Sequence, residues 1–230
     1  MINNIGWLIF GVSVSLAGCV LNPVVSQLDQ FQKWQAADQP GKIIAEPVTA
    51  ACKSSKEGCA RLYALHAEAL TTISMQKRSA GAVCPASAES KNLKLAAADY
   101  VNYFEHAAAG DHSVAAKAEQ TLCSNYVLTL YCVAESADSV SAGLEWAKSV
   151  DEAAKKLEVP ESLLWRSRAN LYLARPGAGD FAARCSAVKQ AREFAAQGAA
   201  AGADEHSKEI FDRLISDADQ LRRQINACGG

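Results

Sequence analysis

An all-α fold is what this sequence predicts, and three observations predict it. Alanine, the residue with the highest helix propensity, fills roughly a fifth of the 230 positions. Aromatic residues make up only 7%, with 6 Pro and 14 Gly, too little of what builds and punctuates a β-protein. Apolar residues also recur at spacings of three and four between short turns. Short helices joined by short turns along the whole chain point to an α-solenoid of antiparallel helix pairs, closed by a C-terminal capping helix. With 50% hydrophobic and 21% charged residues the chain is globular in composition and long enough to bury a core.

Helices are expected at about 24–37, 45–53, 57–78, 88–108, 112–135, 138–157, 161–174, 178–200 and 205–227, with ends uncertain by about 2–4 residues. Asp38-Gln39-Pro40-Gly41 breaks the first from the second, and Pro47 falls in a first turn, where its missing donor costs little. Gly81, Cys84-Pro85 and Gly110-Asp111 are further breaks, Val159-Pro160-Glu161 restarts a helix, and Arg175-Pro176-Gly177 ends one. Gly198 to Gly202 reads as a small-residue corner. Tyr126 to Val133 is rich in β-formers, but its flanks lack turn residues, so it is read as the buried part of a helix. The last helix carries Ile210, Phe211, Leu214, Leu221 and Ile225 on one face, with Lys208, Arg213, Arg222 and Arg223 outside it.

The first 28 residues hold no charged side chain. Within them, Ile5 to Ser15 is an apolar run of signal-peptide length, short for a bilayer span. It ends in Leu16-Ala17-Gly18-Cys19, which resembles the lipobox of bacterial lipoprotein precursors. The n-region, Met1 to Asn4, departs from that pattern in having no Lys or Arg. The resemblance implies removal of residues 1–18 and acylation of Cys19, palmitate among its chains. Val20 rather than Asp after the cysteine implies sorting to the outer membrane, facing the periplasm. An uncleaved anchor over residues 5 to 25 is the alternative, interrupted by Asn22-Pro23. Residues 19–28 then form a tether and 29–230 one helical-repeat domain.

Residues 161 to 201 resemble a tetratricopeptide repeat. Trp165, Ala169 and Tyr172 share a face, Gly179-Asp180-Phe181 opens the next helix, and Ala187, Ala191 and Phe194 follow. Arg168 and Arg184 depart from that pattern, standing where an apolar residue and an alanine are usual, and Pro176-Gly177 lengthens the turn. Leu62 to Phe104 and Leu128 to Trp146 form helix pairs of similar size without the full signature. The resemblance implies a non-enzymatic adaptor or scaffold that holds a protein or peptide partner in an envelope assembly, secretion or transport complex. Alternatives are a carrier enclosing a small molecule and, more remotely, a thiol enzyme. The tyrosines Tyr63, Tyr100, Tyr103, Tyr126 and Tyr131 are mostly core candidates, any of which would line such a repeat's groove if it faced inward.

Catalytic and cofactor chemistry is not what the rest of the sequence offers, and no cofactor is expected. Gly177-Ala178-Gly179 lacks the Lys of a phosphate loop, and no Gly-x-Ser-x-Gly occurs. His106 and His112 flank Gly110, but two ligands make a poor metal site, so they are expected as solvated helix-end residues. Asp151, Glu152 and Glu158 beside Lys148, Lys155 and Lys156 fit surface ion pairs. A net charge of -2 and a pI near 6.1 argue against nucleic acid.

Eight cysteines suit an oxidising compartment, and the spacings give no Cys-x-x-Cys zinc pattern. Setting Cys19 aside leaves seven. Cys123 and Cys132 are nine helical residues, about 13.5 Å, apart, beyond the roughly 7 Å limit of a bridge. Residues equidistant from a shared turn instead meet across a helix hairpin. That pairs Cys52 with Cys59 across Ser54 to Glu57, Cys84 with Cys132 about Gly110, and Cys185 with Cys228 about Gly202. Cys123 remains a buried free thiol.

Overall fold

The computed structural model describes residues 22–54, 57–201, 204–225 and 228. Among them every regular element is helical and no strand occurs. The helices are α1 (Pro23–Ala36), α2 (Pro40–Ala45), α3 (Cys59–Gln76), α4 (Ser90–Ala108), α5 (Ala116–Glu135), α6 (Val140–Ala154), α7 (Glu161–Leu173), α8 (Phe181–Ala200) and α9 (Glu205–Gln224). The β-rich run from Tyr126 lies inside α5, where Val127, Leu130 and Val133 are buried.

Short side chains start several helices. Asn22 accepts from the Val24 amide with Pro23 in the first turn of α1, and Ser139, Asp180 and Asp204 accept from Ala142, Ala183 and Ser207. Each satisfies an amide the helix itself leaves unpaired. The start of α3 is different. Gly58, at φ +95°, has no side chain to offer, and Asp111 from the distant α4–α5 loop accepts from the Gly58 and Ala60 amides at 3.2 and 2.7 Å.

From α3 onward each helix packs on the next, and alternate helices also touch: α3 with α5, α5 with α7, α7 with α9. Small residues set the approach. The Tyr172 hydroxyl donates to the Ala134 carbonyl at 3.0 Å, across the space a Cβ on Gly143 would fill. The Phe211 ring likewise occupies the position of a Gly198 Cβ. Ser167 is fully buried and donates to the Ala191 carbonyl, tying α7 to α8.

Three disulfides join Cys52–Cys59, Cys84–Cys132 and Cys185–Cys228, with Cα atoms 5.5, 5.2 and 5.4 Å apart. Cys123 is a buried free cysteine.

Several expected boundaries are corrected. No helix spans 45–53: Pro40 begins α2 instead of ending a turn, residues 46–49 link onward, and only a 3-10 turn, Ala50–Lys53, follows. Pro fits a helix start at Pro40 because the first turn needs no donor there. The tether to residue 28 is corrected as well, since α1 begins at Pro23 and Val24 and Gln27 are buried. Val24 packs beneath Gly58, and Gln27 bonds to the Pro47 carbonyl and the Thr49 amide. Cys19 and the lipobox, the turn residues Ser55-Lys56 and the Gly202 corner lie outside the described residues.

Candidate functional site

A groove of about 700 Å³ lies against one side of α9. Its lining on that helix runs from His206 through Ile210, Leu214, Asp217 and Leu221 to Gln224, positions three and four apart on one stripe. At 1.5 Å per residue the stripe is about 27 Å long. The facing wall is composite: Tyr131 from α5, Arg168 and Leu171 from α7, Arg175 just beyond it, and Gly81 and Val83 from the α3–α4 loop. That loop is held by the neighbouring Cys84–Cys132 bridge to α5 and by an ion pair of Lys77 with Glu89 at 2.7 Å.

The groove's base is mixed in chemistry. Arg175 forks onto Glu135 at 2.6 and 2.9 Å and lies over the Tyr172 ring, its centre 4.5 Å away. Burial alone would lower its guanidinium pKa, but the Glu135 carboxylate holds it above its ordinary value. Arg168 stacks on Trp165 at 4.9 Å, and burial pulls its guanidinium down. Burial, together with Glu135, raises the Tyr131 hydroxyl pKa, so the phenol stays neutral near physiological pH.

The structure distributes the tyrosine candidates unevenly. Only Tyr131 lines this groove. Tyr100 and Tyr103 are core residues, 0% and 2% exposed, in the cluster that joins α3, α4 and α5, and so do not line a groove. Tyr63 is half-buried and stacks on His106, and Tyr126 packs against Tyr100 and Phe104. His106 is corrected: it is buried against Tyr63, while His112 is exposed. No cluster of three metal-ligating side chains occurs among the described residues. Lys155 pairs with Glu152 on the surface as expected, but Asp151 turns inward to Arg166 and Asn170 of α7.

Burial raises the Cys123 thiol, which Lys156 offsets only in part; a thiol so placed is a poor nucleophile. Two residues carry roles that their sequence signals do not disclose. Asp111 was legible only as a break after Gly110. Arg168 did leave a signal, since it stands where the repeat pattern has an apolar residue. No protein-family model, curated protein or solved structure matches the chain.

Proposed function

We propose that this protein is a lipid-anchored periplasmic adaptor of tetratricopeptide-like architecture, tethered to the outer membrane through Cys19, that holds a peptide or helix of a partner protein in the α9 groove. The groove is the observation that carries the reading. It follows the length of α9, and its aliphatic side chains alternate with charged and polar ones that outnumber them. A lining that follows α9 from His206 to Gln224 favours a through-running chain over a wholly enclosed small molecule. The touching series α3, α5, α7, α9, backed by α4, α6 and α8, supports a solenoid with α9 as its terminal helix.

Photo-crosslinking in the native envelope tests it. A photoreactive residue at Gln220, exposed within the groove, should give one discrete crosslinked partner, and the same residue at Leu95, exposed on α4, should not. Equal labelling of bulk envelope proteins from both positions would overturn the adaptor reading. For the anchor, Cys19→Ala should leave an unprocessed precursor, and normal processing with membrane retention would overturn lipidation.

A further inference from the structure

Three arginines on or just after α7 face its surroundings, and two of them already hold a carboxylate. Arg166 lies 3.3 Å from Asp151 and over the Phe194 ring. Arg175 grips Glu135 with both arms. Arg168, half-buried in the groove, has the Trp165 face on one side, and among the described residues no carboxylate comes within 4.0 Å of it. Its nitrogens remain in reach of water and are not buried without a partner, so a ligand that takes them displaces only water while the Trp165 face keeps the guanidinium in place. Its planar fork is also pre-set for one ligand type, a carboxylate bound through two parallel hydrogen bonds.

The surroundings agree in sign. Arg168 and Arg213 line the groove with the acid Asp217, while the charge of Arg175 is already matched by Glu135. Arg213 is only loosely engaged, 3.7 Å from Glu209 one turn away. Leu171 adjoins Arg168 on the groove wall, and Ile210 and Leu214 face it from α9. The lining continues along the length of α9, which suits a chain passing through more than a terminus stopping at one end. The protein's own first 28 residues contain no acid, so they are not the source.

Resting on the reading of this groove as a peptide-binding face, we infer that Arg168 is a specificity residue. It selects partner segments that carry an internal Asp or Glu side chain flanked by aliphatic residues. The carboxylate takes the open arms of Arg168, and the flanking side chains lie on Leu171, Ile210 and Leu214.

The test uses the full chain, immobilised in detergent, and degenerate decapeptide libraries built from Leu, Ile, Val, Ser and Gly. Two libraries, both C-terminally amidated, have a fixed central Glu or a fixed central Gln; a third has central Gln and a free terminal carboxylate. The Glu library should be retained at least about tenfold better than the amidated Gln library, the scale of one charge-assisted bidentate contact. Arg168→Met should bring the two to parity, and Arg168→Lys should keep part of the preference. Arg192→Gln, on the other side of α9 at Asp219, should change nothing. Helicity and intact disulfides establish that the Arg168 variants are folded. Equal retention of Glu and Gln peptides by the unmodified chain, or a preference that survives Arg168→Met, would overturn this inference while leaving a peptide groove in place. Best retention of the free-acid library would overturn it by making a chain terminus the source. Failure to retain any library would overturn both readings.

Discussion

Gly198→Ala adds one methyl group where α8 and α9 cross, and the structure gives the size and sign of its effect. An ideal Cβ at Gly198 would lie 2.2, 2.3 and 2.7 Å from three ring atoms of Phe211, distances that real Cβ atoms essentially never show. Phe211 has little freedom to yield, being 2% exposed and packed with Leu163, Ala195 and Leu214. Overpacking of this kind costs about 1–3 kcal/mol, and replacing a glycine in the last turn of α8 returns slightly less than the ~1 kcal/mol of a helix interior. The net expectation is a loss of up to about 2 kcal/mol. Phe211→Ala alone should cost about 3–5 kcal/mol, but it removes the obstacle. In that background Gly198→Ala should change sign and stabilise by up to about 1 kcal/mol. Urea denaturation of the oxidised protein, read as a midpoint shift at constant slope, measures all four corners of the cycle. Equal stabilisation by Gly198→Ala in both backgrounds would refute the claim that this glycine exists to admit the ring.

Asp111 supplies a pH dependence. Burial pushes its carboxyl pKa up, but the hydrogen bonds it accepts from Ser113, Ala60 and Gly58 outweigh that and hold it below its ordinary value. Its contribution should therefore be full above the unfolded value, about 3.9, and fade as pH falls through the lower folded value. Asp111→Asn should flatten this part of a denaturation-versus-pH profile and cost about 1–3 kcal/mol near neutrality. Replacing Cys84 and Cys132 by serine opens a covalent link of sequence separation 48 and should cost about 4 kcal/mol in the chain-entropy account, measured as a fall in urea midpoint. Cys123 should resist an aromatic disulfide reagent in the native protein and react with one equivalent in denaturant.

Helix content was legible because it is a local property. Alanine and three-and-four spacing act within a turn or two, so even the β-rich run at Tyr126 could be placed inside a helix. Hairpin counting was legible for a similar reason. Two helices of known rise meet at predictable residues, and the counted cysteine pairs coincide with those the folded chain holds within 5.5 Å. What the sequence hid is long-range. Pro40 and Pro47 carry the same local signal, and what distinguishes them is Gln27, on α1, taking the backbone groups of Pro47 and Thr49. Asp111 caps a helix more than fifty positions away, which no local window displays. The groove draws on α5, α7, α9 and one loop, so no contiguous stretch announces it. Tyr100 and Tyr131 look alike in sequence, and only the stacking of α4 against α3 and α5 sends one to the core.

The disulfides also divide the molecule into covalently closed parts and a part without a bridge. One bridge pins the N-terminal turn before α3, one ties the α3–α4 loop to α5, and one closes α8 onto the C-terminal end. Among the described residues none crosses positions 133 to 184, where α6 and α7 are held by packing and by hydrogen bonds such as those of Tyr172, Ser167, Asp151 and Glu135. Tyr131 and Val83 stand on one clamped block and the stripe of α9 on the other, with Arg168 on the unclamped seam between them. Reduction therefore acts on the two walls of the groove separately: opening Cys84–Cys132 frees the loop that carries Val83, and opening Cys185–Cys228 frees the end of the chain beyond α9.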